Sequence, residues 1–272
     1  MRFCLAILLL AAWPGRGEIR DLVKSAELDA MLARTEQSAD VLVKPNYAVV
    51  LRVNSGKPGP WQAHPEGDEL WFVRRGAAKL SLGALTLAVG VTPAADKHYE
   101  IGAGDVVNVP RNVAYQITPG AARFEYMAIR VFPKESHSRA TAAPPAQPMP
   151  DVVSKSQIED TFAKAEKNQP LHSLGALYVN YVIYNGAPGP WEAHRAADQV
   201  YVVRLGSARG QLDGYIVNPT EETPGEIRGT GMTGAREFTI NAGDILSVPR
   251  NTAHYMVPTN GKFGYLLVTV RD

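Results

Sequence analysis

Cysteine is almost absent from this sequence: its 272 residues include one, Cys4, near the start of the chain. A single thiol cannot form an internal disulfide, so the class of small secreted domains built on a disulfide framework is excluded. The sequence also lacks an excess of either charge, since 28 Lys and Arg residues stand against 27 Asp and Glu residues. This balance removes the electrostatic reason to expect a nucleic acid or an anionic membrane surface as a partner.

A long apolar run is missing as well. The run from Phe3 to Trp13 has 11 residues, whereas a helix that spans a membrane needs about 20. Arg2 precedes this run and Pro14-Gly15-Arg16-Gly17 ends it, which is the order of a secretory signal peptide; the alternative is a buried first helix. We therefore predict that residues 1–17 are a signal peptide, that the protein is secreted or periplasmic in a bacterium, and that the mature form has no membrane partner.

The main feature that is present is an internal repeat. Gly59 to Glu69 reads Gly-Pro-Trp-Gln-Ala-His-Pro-Glu-Gly-Asp-Glu, and 130 positions later Gly189 to Gln199 reads Gly-Pro-Trp-Glu-Ala-His-Arg-Ala-Ala-Asp-Gln. A second pair of matching stretches, Gly104 to Asn112 and Gly243 to Asn251, is offset by 139 positions, so the second copy has nine extra residues. We place them in Asp213 to Arg236, as a lid or as a hairpin extension; the hairpin is favoured because loops tolerate insertion.

Each copy begins with a predicted amphipathic helix, at Asp21 to Gln37 and at Asp151 to Lys167, because apolar residues recur in both at helical spacing. Asp151 is placed to cap the second helix. Short β-branched and aromatic runs bounded by Gly and Pro follow each helix, which predicts strands. The predicted strands next to the repeated motifs are Tyr47–Val53, Glu69–Arg74, Leu177–Tyr184 and Gln199–Arg204.

Taken together, each half reads Gly-Pro-Trp-x-x-His, an acid or amide five residues later, Gly seven residues further, and then Gly-Asp-x-x-x-Val-Pro with Tyr or His five residues after Pro. This pattern resembles the two motifs of the cupin superfamily, and the resemblance covers both halves. It implies an all-β protein with two tandem cupin (jelly-roll) β-barrels, each preceded by a short helix. The corresponding boundaries are 18–135 and 151–272 for the barrels, with a Pro/Ala-rich linker at 136–150.

Metal-binding cupins hold a divalent ion on three His and one Glu, and the resemblance places Glu192, His194, Gln199 and His254 at those positions in the second half. Two imidazoles and a carboxylate are the ligand type of centres that hold Fe, Mn or Zn with open positions, and Gln199 would be a weak fourth donor. The alternative is a metal-free pocket in which Glu192 and His254 bond each other or a ligand. Glu192 is then also a candidate catalytic acid or base.

The first half departs further from the metal-binding pattern. The resemblance aligns Gln62, His64, Glu69 and Tyr115 with the ligand positions, so that Gln62, His64 and Glu69 form a second, weaker candidate site. Two strong donors rarely hold a divalent ion against water. Tyr115 is either a phenol donor to a substrate, and so a candidate catalytic residue, or a large side chain that fills the barrel.

Other polar and aromatic residues have structural interpretations. Tryptophans beside the motifs are expected to pack in the core, Asp residues after Gly to bond the backbone of their own turns, and His residues outside the ligand spacing to lie on the surface or in loops. These residues are Trp61 and Trp191, Asp105 and Asp244, and His98, His137 and His172.

Cupin folds host many functions, so the fold alone does not decide this one. The donor set favours a metal-dependent enzyme that acts on a small organic molecule in the second barrel, with oxidative cleavage of the dioxygenase type as the first reaction to test. The alternative is a non-catalytic bicupin that binds a small ligand or acts as a scaffold, with degenerate metal sites. A homodimer that forms through strand edges is expected by analogy.

Overall fold

A computed structural model describes residues 22–84, 95–120, 123–132, 148–174 and 176–271. The predicted signal peptide, most of the predicted linker and His137 lie outside these residues. Within them, neither helix has the length and apolarity that crossing a membrane requires.

The described residues of the first half form one helix and nine short strands. Helix α1 spans Ser25–Arg34, and the strands are β1 Leu22–Val23, β2 Ser38–Val43, β3 Tyr47–Ser55, β4 Asp68–Arg75, β5 Ala77–Ala84, β6 Ala95–Gly102, β7 Val106–Val109, β8 Val113–Pro119 and β9 Arg123–Val131.

The second half repeats this order. Helix α2 spans Lys155–Lys164, and the strands are β10 Val152–Val153, β11 Gln169–Leu174, β12 Leu177–Asn185, β13 Trp191–His194, β14 Ala197–Leu205, β15 Ser207–Leu212, β16 Tyr215–Val217, β17 Thr220–Thr223, β18 Glu226–Gly229, β19 Gly231–Thr233, β20 Arg236–Asn241, β21 Ile245–Val248, β22 His254–Pro258 and β23 Lys262–Arg271.

Each half folds into two antiparallel sheets that face each other, which confirms the predicted tandem jelly-roll barrels. The first barrel pairs the sheet β10-β7-β4-β9-β3-β2 with the sheet β6-β5-β8. The second barrel pairs β1-β21-β14-β23-β12-β11 with β17-β18-β13-β22-β15-β20. The four predicted strands are all present, each slightly longer than the sequence indicates.

Two of the three six-stranded sheets, the one that contains β4 and the one that contains β14, are apolar on both faces. Successive side chains of a strand point to opposite faces, so Trp71 and Val73 of β4 belong to the interior of the first barrel, while Leu70 and Phe72 belong to a core between the barrels. That second core also contains residues of β12, β14 and β23 and of both helices. The halves therefore share one core in addition to the core inside each barrel.

The short strands before the helices cross to the opposite half. Strand β1 pairs with β21 of the second barrel, and β10 pairs with β7 of the first. Asp244 accepts a hydrogen bond from the Ser25 backbone N–H at 2.7 Å and Asp105 accepts one from the Lys155 N–H at 2.7 Å. Each of these Asp residues also bonds its own turn, as predicted. The segment before each helix therefore attaches its own half of the chain to the other half.

The prediction that Asp151 caps the second helix is wrong. The helix starts later than expected because residues 152–153 are extended in β10, and Ser154 takes the N-cap position with its Oγ accepting from the Gln157 N–H. Asp151 instead accepts hydrogen bonds from Lys97 Nζ at 2.7 Å and Tyr99 Oη at 2.6 Å.

His172 is also not the surface or loop residue that its spacing indicated. It lies in β11 with 6% of its surface exposed, and its Nδ1 accepts a hydrogen bond from the Met149 backbone N–H at 2.9 Å. Burial follows because β11 pairs with β12 on one side and the buried Met149 lies against the ring of His172. His98, in contrast, is exposed on β6, as expected.

Candidate metal centre

Two adjacent strands of the second barrel bring the candidate ligands together. Glu192 and His194 are two residues apart on β13 and therefore face the same side of the sheet. His254 begins β22, which pairs with β13 so that Glu192 and His254 are directly opposite. Cross-strand neighbours lie about 4.5–5.5 Å apart at Cβ, so this register alone fixes three donors in one cluster.

The donor atoms of the three side chains converge. Oε1 of Glu192 lies 3.5 Å from Nε2 of His254 and 4.0 Å from Nε2 of His194. One ligand atom from each residue lies within 4.8 Å of the other two. Small side-chain rotations would bring these atoms to the bond lengths of about 2.0–2.2 Å that a divalent ion such as zinc requires.

The other ring nitrogen of each imidazole is already engaged. Nδ1 of His254 donates to the Thr252 carbonyl at 3.1 Å, and Nδ1 of His194 donates to Oε2 of Glu226 at 2.6 Å. In a neutral ring, a proton on Nδ1 leaves the lone pair on Nε2. Both Nε2 atoms are therefore acceptors directed at the Glu192 carboxylate.

Neither Nε2 atom has a hydrogen-bond partner, although both are buried. Buried polar atoms without partners are rare in folded proteins, and a bound water or ion is a common explanation for them. A metal ion would satisfy both, and a His that binds metal through one nitrogen and a carboxylate through the other is a recurrent arrangement in metal sites. The residues present therefore fit a divalent metal held by Glu192, His194 and His254.

Glu192 is held as a carboxylate at neutral pH. Its burial favours the protonated form, but His254 and His194, which attract the carboxylate when their rings are protonated, and the guanidinium of Arg228 outweigh this effect and lower its pKa below the ordinary value. Nε of Arg228 lies 3.6 Å from Oε2 of Glu192, on the side away from the imidazoles. The carboxylate thus has one oxygen directed at the cluster and one at a cation near the surface.

Gln199, the expected fourth donor, is buried on β14, where its Oε1 accepts a hydrogen bond from Tyr201 at 3.0 Å. Its role as a metal ligand stays a prediction. Tyr201 stacks on Tyr265 with ring centroids 4.3 Å apart. Burial raises the pKa values of both phenols well above the ordinary range, so the wall beside the cluster is uncharged.

Glu226 is the residue that sequence reasoning missed in this site. It lies on β18, within the segment Asp213 to Arg236 in which the nine extra residues of the second half were placed. Strand β18 pairs with β13 along its whole length. The insertion is therefore the hairpin extension that was favoured, and it supplies both backbone support and a carboxylate to the site. The hydrogen bond from His194 lowers the pKa of Glu226.

In the first barrel the same positions bond one another. Tyr115 donates to Oε1 of Gln62 at 3.0 Å, and its oxygen lies 2.8 Å from Nε2 of His64. Tyr115 is buried, with its pKa raised chiefly by that burial. This environment favours the barrel-filling interpretation of Tyr115 over that of a phenol donor to a substrate.

Arg130 supplies the positive charge of the first barrel. Its Nε donates to Oε1 of Glu69 at 2.7 Å, and its Nη2 contacts Glu69 and both ring nitrogens of His64. Trp71 Nε1 donates to the remaining oxygen of Glu69 at 2.7 Å. Burial and the neighbouring Arg130 lower the pKa of His64 even though Glu69 opposes them. A cation of the chain itself thus occupies the centre where a metal would otherwise bind.

The equivalent cross-strand pairs show how the barrels differ. Glu69 is opposite Arg130 on β4 and β9, and Gln199 is opposite Thr269 on β14 and β23. The first barrel therefore contains a buried ion pair where the second contains a neutral amide and a small hydroxyl. A comparison of the two halves beyond their motifs would have shown this paired change, whereas no sequence signal distinguishes Glu226 from the other acids of its hairpin.

We expect the Glu226→Ala variant to bind metal about 10–100-fold more weakly, because the His194 ring loses the carboxylate that orients it. The measurement is the dissociation constant for Zn or Mn by competition with a chelator. Glu237→Ala is the matched control, since Glu237 is exposed on β20 and bonds Gln211. Equal affinities of the Glu226 variant and the wild type would show that Glu226 has no part in the centre.

We expect Arg130→Thr to lower the free energy of unfolding by about 3–5 kcal/mol, because Glu69 would be left as a buried carboxylate without its cation. Adding Glu69→Gln should restore most of this loss, since the double variant reproduces the Gln199–Thr269 pair of the second barrel. Urea unfolding at pH 7 measures both. If the double variant is no more stable than the single one, the loss does not come from the unpaired charge.

The fold of the chain is that of known cupins. It superposes on a cupin 2 conserved barrel domain protein from Leptotrichia buccalis with a TM-score of 0.58 at 13% identity, covering 94% of this chain and 99% of that one. Oxalate decarboxylases resemble it too: a single-residue variant from Bacillus subtilis has a TM-score of 0.51 at 13% identity over 88% of this chain and 74% of that one. The Lactobacillus farciminis oxalate decarboxylase, in its formate complex, has a TM-score of 0.50 at 14% identity over 88% and 83%.

Comparison by sequence finds no relative: no protein-family model and no curated protein matches the chain. At 13–14% identity, the resemblance to solved structures concerns the fold. In its fold, the chain is a bicupin with two cupin barrels in tandem.

Proposed function

We propose that the second barrel binds one divalent metal ion, Fe, Mn or Zn, through Glu192, His194 and His254, and that the protein uses this centre to transform a small organic molecule. The observation that carries the proposal is the pair of buried Nε2 atoms without partners, both directed at an ionised carboxylate. A metal-free pocket would leave two desolvated acceptors unsatisfied, which costs about 1–3 kcal/mol for each.

When bound, the metal would supply a Lewis-acid centre with open positions for a substrate and for O₂. The chain's own groups would do the rest. Glu226 and the Thr252 carbonyl keep the two rings in the orientation and tautomer that binding needs. The neutral phenols of Tyr201 and Tyr265 form an apolar wall with hydrogen-bonding ends, and Arg228 balances the charge of Glu192 at the surface side.

Oxidative cleavage of the dioxygenase type is the reaction we propose first. A centre with two imidazoles and one carboxylate is the ligand type that non-haem Fe(II) oxygenases use. Decarboxylation is named for two of the structural neighbours, but a resemblance in fold does not carry a reaction to this chain. The substrate class therefore rests on the site alone: a small, largely apolar molecule that fits beside the tyrosine wall.

A non-catalytic role in ligand binding or as a scaffold is the second candidate, and the first barrel supports it. There, Arg130 neutralises Glu69, and Gln62, His64 and Tyr115 bond one another. That barrel retains the fold without an open ligand set. If the second barrel proved equally free of metal, the whole chain would be a bicupin of this non-catalytic kind.

Elemental analysis of protein purified without chelators tests the proposal, and we expect about one metal ion per chain. His194→Ala and His254→Ala should each remove it, because losing one strong donor on a rigid barrel weakens binding by several kcal/mol. His64→Ala in the first barrel is the matched control and should leave the metal content unchanged.

Glu192→Gln separates two roles of this residue. Loss of metal from this variant identifies Glu192 as a ligand, whereas full metal content would make it a general base beside the centre. If His64→Ala removed the metal and His254→Ala did not, the centre would lie in the first barrel instead.

We also propose that the protein is exported, on the basis of the apolar run that ends at Pro14 to Gly17. Sequencing the N-terminus of protein produced in a bacterial host should find a start within a few residues of Glu18. An intact Met1 on most of the material would contradict export. We also propose a homodimer through β2 and β11. Strand β2 is an end strand of the sheet that contains β4, and β11 is an end strand of the sheet that contains β14.

A further inference from the structure

A cavity of about 330 Å³ lies between the two barrels, away from the metal centre. Its lining combines the apolar shared core with charged residues contributed by both halves. The basic residues are Arg74 and Arg75 of β4 and Arg204 of β14, and the acidic one is Asp29 of α1. The cavity lining therefore has three cations and one anion.

Arg74 and Arg204 occupy equivalent positions, 130 residues apart, and each reaches across to the other half. Arg204 donates to the Gly104 carbonyl at 2.7 Å, and Arg74 contacts the Gly243 carbonyl at 3.5 Å. Both carbonyls belong to the Gly-Asp turns that anchor the opposite helix. The cavity thus lies where the two halves exchange contacts.

Arg74 is only partly compensated. Its side chain is 17% exposed and donates to Oγ of Ser25 at 3.0 Å and to Oδ1 of Asp29 at 3.1 Å. Its Nε is buried and has no hydrogen-bond partner. Asp29 is shared, because Arg75 also lies 3.5 Å from the same oxygen.

The guanidinium of Arg204 has fewer acceptors from the chain than that of Arg74. Among the residues that the structure describes, no carboxylate lies within 4 Å of its guanidinium, and the Gly104 carbonyl is its one hydrogen-bond acceptor. A guanidinium has five N–H donors, so most of those of Arg204 have no acceptor from the chain. Burial lowers the pKa of Arg204; Glu159 opposes this effect, and Arg74, with a smaller influence than Glu159, lowers the pKa further.

We propose that this cavity binds a small oxyanion between Arg74 and Arg204, and that the anion links the two barrels. The fork of N–H donors on a guanidinium matches the oxygens of a carboxylate, phosphate or sulfate group. Arg74 and Arg204 line the same cavity and their positive charges repel each other, whereas an anion bound there attracts both. The volume suffices, since a water molecule occupies about 30 Å³ of liquid.

The residues around Arg74 differ from those around Arg204, and this difference favours a single anion bound next to Arg204. Leu205 replaces the equivalent of Arg75, and Glu159, the equivalent of Asp29, lies beside Arg204 in an adjoining recess rather than in contact with it. In the first half Asp29 is shared by Arg74 and Arg75, whereas in the second half Arg204 lines the cavity with no carboxylate of the described residues in contact with it. A single anion placed against Arg204 would also lie near the positive charge of Arg74, which lines the same cavity.

The experiment compares thermal unfolding of the full chain in phosphate, in sulfate and in chloride at equal ionic strength. We expect either oxyanion to raise Tm by about 3 °C or more relative to chloride, because a ligand that binds only the folded state stabilises it. The effect should saturate below about 10 mM, whereas general exclusion of these salts from protein surfaces grows steadily with concentration. A rise of Tm no larger than chloride gives would overturn the proposal.

Variants assign the effect to this cavity. Arg204→Gln and Arg74→Gln should abolish the oxyanion-dependent rise of Tm, while Arg209→Gln, on an exposed part of β15, should retain it. His254→Ala should also retain it, which separates this cavity from the metal centre. An undiminished rise in Arg204→Gln, or its loss in His254→Ala, would place the anion elsewhere.

Arginine labelling covers the case in which the Arg204 or Arg74 variants do not fold. Wild-type protein would be treated with phenylglyoxal with and without phosphate, and the labelled peptides identified by mass spectrometry. Phosphate should protect Arg204 and Arg74 at least several-fold while Arg209 reacts equally in both samples. Equal labelling of Arg204 in both samples would contradict the proposal.

Discussion

The two sheets that form the core between the barrels, one containing β4 and the other β14, have to bury both of their faces, and the rest of the molecule depends on this requirement. One face of β4 gives Trp71 and Val73 to the interior of its barrel, and the other gives Leu70 and Phe72 to the core between the barrels. A sheet that is apolar on both sides cannot stand alone in water, so each half needs the other. Both helices complete this shared core, which explains why the repeated unit includes a helix that touches neither ligand cluster.

Within this common frame the two barrels satisfy their central charges in different ways. Glu69 is neutralised by Arg130, which is covalently part of the chain and needs no ligand. The second barrel has neutral residues at that pair of positions and places its carboxylate at Glu192 instead, between two imidazoles whose inner nitrogens lack partners. Buried charge thus exists in both barrels, but among the described residues the cluster of donors that could hold an ion lies in the second.

The sequence showed the repeat directly, and strand alternation placed Glu192 and His194 on one face, whereas the two barrels and the position of His254 followed from the resemblance to cupins. The role of Arg130 was not predicted, since a charged residue in an apolar strand acquires meaning only once its cross-strand partner is known or once it is compared with Thr269 of the other half. Glu226 was not predicted for a similar reason. Its hairpin has several acidic residues, and only the pairing of β18 with β13 shows which of them lies opposite His194. The late starts of both helices have the same origin, because Val152 and Val153 find their partners in the other half.

The pairing of β1 and β10 with strands of the opposite half has a consequence for the order in which this protein folds. A chain leaves the ribosome from its N-terminus, so strand β7 of the first barrel waits for Val152 and Val153 before its sheet is complete. Leu22 and Val23, among the earliest described residues, wait far longer, because their partner β21 ends at Val248. The shared core, which includes Val23, Val153 and residues of β12, β14 and β23, can therefore be completed only after almost the whole chain has been made.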